Sequence, residues 1–349
     1  LQSFETNDIT VMKIFKFGGA SVKNAQAIKN VASILKVYTQ DELLIVVSAM
    51  GKTTNALERV VALAQSGQDF NTDLEDIKSY HYQALKNLEL LNSPAQKKID
   101  EIILRIAEEA IKNGEYDQIY DQAVSQGEVL SSIILSSYLQ ATGFEIEWIN
   151  AAEFISTDAT WREGKVNWEK TKEAVQPLKI ILTRKIIVTQ GFIGATSTGV
   201  ITTLGRDGSD YSAAIFAACM GARSVTIWKD VPGVMSADPK RLANAVVFEE
   251  LPYQEAAEMT YYGASVIHPK TIKPLANAKI PLFVKNFDDP TLAGTCIHEC
   301  RIDKLPPLIV FKDNQCLISC RVTDYTFVNE RQIGLIFQAL MNHDVHINV

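Results

Sequence analysis

The chain has little that would take it to a membrane or a nucleic acid. No apolar run approaches the roughly 18 residues a spanning helix needs. Positive charge is not in excess: 34 Lys and Arg stand against 41 Asp and Glu, a net charge of −7. Nucleic acids and acidic membrane surfaces recruit basic protein surface, so the charge balance argues against both as partners. The opening residues, LQSFETNDITVMK, have neither the basic start nor the apolar core of a secretion signal. Met12 reads as a candidate natural start, and a cytoplasmic protein is expected. Two nucleotide-binding signatures are missing, GxxxxGK[ST] and GxGxxG. No His/Ser or His/Cys pair stands out, so nothing suggests a covalent intermediate.

Cysteine is sparse, five in 349 residues. Four of them, Cys296, Cys300, Cys316 and Cys320, are spaced C-x3-C…C-x3-C, a pattern that invites a zinc reading. TCIHEC and CLISC both read as strands, however. Residues four apart on a strand share a face but lie roughly 13 Å apart, at about 3.3 Å per residue. Neither pair could share a metal, so reduced structural thiols are expected and no metal held by protein side chains.

What is present is a layered α/β pattern. The runs 12–17 (MKIFKF), 42–49 (ELLIVVSA), 145–150 (EIEWIN), 185–193 (KIIVTQGFI) and 224–230 (SVTIWKD) read as strands buried on both faces, as a parallel sheet requires. Helical patterns fill the gaps, including the stretches at 24–39, 55–64 and 127–143 and the one after Ser209. Ligands in such folds collect where the carboxyl ends of strands meet helix N-termini. From about Asp69 to Tyr120 the chain becomes long charged helices, most simply solvated faces. KLPPL at 304–308 marks a boundary. Beyond it 308–322 reads as strands, 329–344 as an amphipathic helix and HINV as the opening of a further strand, so the last module looks truncated.

Several short stretches carry chemistry. KFGGAS (16–21) ends a strand in Lys16 and follows it with Gly18 and Gly19, where backbone N–H groups can approach an anion. Ser21 is a plausible N-cap for the next helix, and a plain strand-to-helix turn is the competing reading. In SAMGKTTN (48–55) Thr54 either caps a helix or touches a ligand; capping is the simpler reading. In SQGEVLSS (125–132) Glu128 either complements the helix dipole or receives a substrate ammonium. TTLGRDGSDYSAA (202–214) sets Arg206, Asp207 and Asp210 at the mouth of an apolar helix. IWKDVPGVMSADPK (227–240) places Lys229, Asp230 and Lys240 around a Pro-Gly turn. His268, after an apolar run, reads as a packing residue.

Taken together and in this order, these motifs closely resemble aspartokinases of the amino-acid kinase superfamily. TQGFIG (189–194), YYGASVIHPKT (261–271) and IPLFVKN…GT (280–295) extend the resemblance from Lys13 to about Thr295. It implies a three-layer, carbamate kinase-like α/β fold over 12–304 with a mainly parallel central sheet. Residues 305–349 would begin an α+β ACT regulatory domain. The implied reaction moves the γ-phosphate of ATP to the side-chain carboxylate of L-aspartate, the first step toward lysine, threonine and methionine. Lys16 and Asp210 are the implied catalytic residues. Thr54, Glu128, Phe192, Arg206, Gly208 and Ser209 would line the aspartate pocket. ATP would meet Lys16, Gly18, Gly19, Ser21, Ser48, Lys229, Asp230, Met235, Lys240 and Ser265, with Mg²⁺ carried by the nucleotide. A homodimer and a lysine or threonine effector at the ACT region are implied too.

The chain departs from that pattern at Ala20, where a threonine is usual, at Met235, where many relatives have tyrosine, and at Ser265, where many have lysine. Asp207 adds a negative charge beside an anionic substrate and is expected to point away. Two alternatives follow from the same residues: a kinase of glutamate or N-acetylglutamate, and a catalytically silent amino-acid sensor. Glu128 speaks against the acetylated substrate, which lacks an ammonium group.

Overall fold

The apolar runs become strands because both faces of each are covered. The computed structural model describes residues 11–261, 267–302, 305–311, 313, 316, 318–320, 329–343 and 345. Its strands are β1 (Met12–Phe17), β2 (Glu42–Val47), β3 (Ile146–Trp148), β4 (Ile186–Gln190), β5 (Ile193–Ala195), β6 (Ile201–Thr203), β7 (Ser224–Lys229), β8 (Glu250–Pro252), β9 (Leu282–Asn286) and β10 (Thr295–His298). The first helices are α1 (Ala25–Leu35), α2 (Thr53–Gln65), α3 (Asn71–Asn87), α4 (Pro94–Ala110), α5 (Tyr116–Val124) and α6 (Gln126–Ala141). They are followed by α7 (Trp168–Val175), α8 (Leu178–Leu182), α9 (Gly208–Met220), α10 (Tyr253–Tyr261), α11 (Pro269–Ala278) and α12 (Glu330–Asn342).

Among the described residues eight strands form one sheet in the order β3-β4-β2-β1-β7-β9-β10-β8. Every pairing in it is parallel except β9 with β10. β5 and β6 make a separate antiparallel ribbon. The architecture is thus the mainly parallel α/β sheet expected from the sequence.

Strand periodicity divides the core in two. Phe15, Phe17, Leu43, Ile45 and Val47 face a cluster built on α1 to α6. Ile14, Leu44 and Val46 face a second cluster built on α7 to α11. The same alternation sends Lys16 to the second face, where α9 packs on β1, β2 and β7. That helix is buried all round, with only Ala218 partly exposed, and beyond its first turns is apolar, as a helix enclosed by other elements must be.

Three expectations change. The run 185–193 is not one strand: Gly191 and Phe192 separate β4 from β5, and Phe192 takes a positive φ of 68°. A Cβ on Gly191 would sit 2.5 Å from the Cβ of Ser209, so the break lets the strand end press against the start of α9. Second, His268 does more than pack. It is the N-cap of α11, its Nδ1 accepting from the Lys270 N–H at 3.1 Å. Third, 308–322 forms no strand among its described residues, where Leu308, Ile309, Phe311 and Ile318 are exposed. Among the described residues the Ile309 N–H donates to the Ser236 carbonyl at 2.9 Å, but no ladder of bonds continues from it to make a strand. Helix α12 forms as expected, with an Asn329–Gln332 capping box; HINV lies outside the described residues.

The excursion after α2 is helical, as α3 and α4, and carries surface pairs such as Lys78–Asp100 at 3.2 Å. His81 is an exception to its solvated character, being fully enclosed, with its pKa pushed down to about 4 by burial.

Aromatic packing anchors the central strands. The rings of Phe17 and Trp228 stack 6.0 Å apart at 5° between planes, and Phe287 meets Phe17 edge-on at 6.1 Å. Replacing Phe17 with alanine should lower stability by roughly 3–5 kcal/mol, read as a reduced urea midpoint. An unchanged midpoint would show that this cluster does not hold β1 to β7.

Candidate active site

The carboxyl ends of β1, β2 and β4 open into a cavity of about 530 Å³, a size suited to a small metabolite or part of a nucleotide. One wall is electrostatic. Asp210 sits in the first turn of α9 and is 2% exposed. Its Oδ1 lies 2.6 Å from Lys16 Nζ and its Oδ2 lies 3.3 Å from Lys229 Nζ. Burial on its own would push this carboxyl up, but the two ammonium groups outweigh it and hold the pKa below the ordinary value. One carboxylate between two ammonium groups leaves a net positive centre, placed by adjacent strands: Lys16 lies opposite Ile227 on β7, and Lys229 ends that strand.

Another wall carries Glu128, in the first turn of α6 and 3% exposed. Its Oε1 accepts from the Ala49 N–H at 3.3 Å. Its Oε2 is buried without a hydrogen-bond partner among the described residues. Burial pushes the carboxyl up to about 8, against weaker opposing pulls from the Ala49 N–H and Lys16. A cationic group entering the cavity would find here an acceptor with no other partner.

The loop between β6 and α9 forms the rim. Arg206 is mostly exposed and lines the cavity, its Nε 3.9 Å from Asp207 Oδ2. Asp207, expected to point away, is among the residues that line the cavity, in a left-handed conformation (φ 52°, ψ 27°) at the N-cap of α9. Gly208 is required by its neighbour, since a Cβ there would lie 2.5 Å from the Phe192 ring. Phe192 is held by its own N–H, which donates to Ser212 Oγ at 2.9 Å.

The structure therefore gathers Lys16, Gly19, Ser48, Thr54, Glu128 and Phe192 around one space with Arg206, Gly208, Ser209 and Asp210. Thr54 is not a cap: the N-cap of α2 is Lys52, and Thr54 lies in the first turn, facing the cavity. Ser21 is not a cap either. It is buried inside a short 3-10 turn (Gly19–Val22), its hydroxyl donating to the Trp228 carbonyl at 3.4 Å, while Asn24 caps α1. Gly19 is held tightly, since a Cβ would come within 2.8 Å of the Ala49 carbonyl oxygen; at Gly18 the nearest atom is Lys16 Nζ at 3.5 Å.

Gly18, Ser21, Asp230, Met235 and Lys240 do not line this cavity. Lys229 is linked to it through Asp210. Asp230 and Lys240 are exposed, and Met235 bridges to Val247 in the loop between β7 and β8. Ser265 lies outside the described residues.

Sequence reasoning missed a third side of the cavity. Arg162, with φ 61°, stacks its guanidinium 4.0 Å from the centre of the Tyr120 ring and pairs with Glu58 at 3.3 Å. Asp121 is buried, accepting from the Arg162 N–H at 2.9 Å and from the Thr203 hydroxyl at 2.6 Å. Burial pushes its pKa up despite these bonds. No local pattern around position 162 marks this arginine, because its partners come from α2 and α5.

The family model that describes the amino acid kinase family matches residues 12–286. A bifunctional aspartokinase/homoserine dehydrogenase of Buchnera aphidicola is 34% identical over 300 residues, covering 82% of this chain and 36% of the relative. This chain thus spans about a third of the length of the bifunctional relatives. The lysine-sensitive aspartokinase 3 of Escherichia coli is 29% identical over 343 residues, covering 96% of this chain and 75% of that protein. The crystal structure of E. coli aspartokinase III in complex with aspartate and ADP superposes with a TM-score of 0.81 at 28% identity, covering 97% of this chain and 76% of that one.

The Glu128 environment gives a stability prediction. Between about pH 4.5 and 8 the unfolded chain has released this proton while the folded chain keeps it, so stability falls as pH rises through that window. Glu128→Gln should remove the penalty. The variant should melt higher than the parent at pH 8, by up to the order of 5 kcal/mol at 1.36 kcal/mol per unit, and the two should converge near pH 5. A constant difference at both pH values would contradict the assigned burial. Motifs, sheet and family match agree: the chain belongs to the amino acid kinase family, and the relatives it resembles within that family are aspartokinases.

Proposed function

We propose that the protein is an aspartate kinase, transferring the γ-phosphate of ATP to the side-chain carboxylate of L-aspartate. The observation that carries this reading is the buried, unpartnered Oε2 of Glu128 in a cavity whose other wall is the Lys16–Asp210–Lys229 centre. An amino-acid substrate brings an ammonium group for the first and an anionic reacting end for the second. The complex of the E. coli relative with aspartate and ADP supports the same pairing of ligands.

The attacking carboxylate is ionised at neutral pH, so no general base is required. What the reaction requires is alignment of two anions and relief of their repulsion. Lys16 supplies a positive point charge held in place by Asp210. The N-terminus of α9 at Ser209 and the backbone around Gly19 supply oriented N–H groups. Preorganised donors of this kind contribute on the order of 3 kcal/mol each. Arg206, on the exposed rim, offers a planar bidentate grip for a substrate carboxylate. The triphosphate would run toward Lys229 and Lys240. Mg²⁺ would arrive on the phosphates and offset their charge. Both Asp210 oxygens already face ammonium groups, which fits a metal held by phosphate oxygens and water.

Residues 305–349 read as the beginning of an ACT regulatory domain taking a lysine-like effector, with a homodimer as the assembly. The lysine sensitivity in the name of the E. coli relative supports the effector. The Ile309 N–H donates to the Ser236 carbonyl at 2.9 Å, which ties this segment to the proposed nucleotide loop.

A coupled ADP assay tests the substrate. Turnover should require L-aspartate, with glutamate and N-acetylglutamate poor acceptors. The KM for aspartate should fall as pH rises from about 6 toward 8, because the ammonium binds the ionised form of Glu128, and Glu128→Gln should flatten that profile while raising KM. Preference for N-acetylglutamate would overturn the role of Glu128.

A further inference from the structure

We propose that Glu250, His298 and Cys300 form a binding site for a divalent transition-metal ion of the zinc class, away from the cavity described above. One ligand atom from each, a carboxylate oxygen, an imidazole nitrogen and a thiol sulfur, lies within 4.8 Å of the other two. Glu250 Oε2 is 3.8 Å from His298 Nε2. All three residues are half-buried, accessible to an ion and partly screened from water.

The sheet explains the convergence. β8 and β10 run parallel, with Cys296 opposite Glu250 and His298 opposite Pro252. Strand periodicity puts Cys296 and His298 on the face that Glu250 shares. β10 ends at His298, so the chain no longer advances in strand steps and Cys300 turns back toward the pair. Extended geometry excluded a Cys296–Cys300 pair; it did not exclude a histidine between them joined to a glutamate from a neighbouring strand. Cys296 itself is buried and is not one of the three.

The donor set selects the ion. Mixed nitrogen, sulfur and oxygen ligands suit zinc and its neighbours, whereas magnesium and calcium take oxygen alone. Three protein ligands leave a fourth tetrahedral position for water. Burial, and secondarily the Glu250 carboxylate, push the Cys300 thiol up; a bound cation reverses that balance and favours the thiolate. The ion would clamp edge strand β8 to the chain leaving β10. At the start of the same ladder the Thr295 hydroxyl donates to the Phe248 carbonyl at 2.6 Å and accepts from the Val234 N–H at 2.8 Å, so the clamp would steady the loop between β7 and β8.

Cobalt(II) is the probe, in the whole chain carrying Cys316→Ser and Cys320→Ser, since those two exposed thiols could bind metal by themselves. One equivalent should bind with a thiolate-to-cobalt charge-transfer band and be displaced by zinc. The band should vanish in Cys300→Ser and in His298→Ala, and Glu250→Gln should weaken binding about tenfold or more. A second measurement needs no substitution: zinc should protect Cys300 from alkylation in the parent chain, read by mass spectrometry. Absence of the band, its survival without Cys300, or equal alkylation of Cys300 with and without zinc would overturn the proposal and leave a plain histidine–glutamate pair beside a bystander thiol.

Discussion

One wall of the candidate active site depends on a carboxylate buried between two ammonium groups. Removing Asp210 from water is costly, and an isolated buried charge of this kind would stay protonated. Lys16 at 2.6 Å and Lys229 at 3.3 Å reverse that, and the pKa falls below its ordinary value. Meeting both lysines demands that β1 and β7 be neighbours, that their carboxyl ends be level, and that the first turn of α9 lie across them. The apolar length of α9 and the Phe17–Trp228 stack on the opposite face are what keep those elements in place. Burial of the pair also removes the freedom of a surface lysine, so the ammonium of Lys16 is already positioned before any ligand arrives.

The two buried carboxyl groups that line the cavity are opposites in the same physical sense. At Asp210 burial is outweighed by charge, and a carboxylate stays ionised. At Glu128 burial prevails, and the carboxyl holds its proton to about pH 8. A positive centre and an acid with one oxygen left unpartnered therefore face one space, which suits a molecule with a cationic head and an anionic end.

Much of this arrangement was legible because it depends on local pattern. Runs of continuous apolar residues marked β1, β2 and β7. Glycine followed by hydroxyl residues marked the turns at Gly19 and Gly51. What stayed hidden depends on contacts between distant residues. Asn24 takes the cap that Ser21 seemed to offer, because Ser21 is drawn inward to Trp228. The break at Phe192 follows from the approach of Ser209, which lies on another element. Arg162 enters the cavity through Tyr120 and Asp121, and nothing beside it in sequence announces that. The Glu250–His298–Cys300 group is of the same kind: the cysteine spacing named only Cys300, and Glu250 comes from a neighbouring strand.

A double-mutant cycle on the phosphoryl-transfer step tests most directly whether Asp210 acts by positioning Lys16. Lys16→Met, Asp210→Asn and the combined variant would be compared by single-turnover phosphoryl transfer from ATP to aspartate. If the carboxylate works through the lysine, the combined variant will be about as slow as the slower single one, a coupling on the order of 2 kcal/mol. If the two losses simply add, Asp210 and Lys16 act independently, and the account of this wall is wrong.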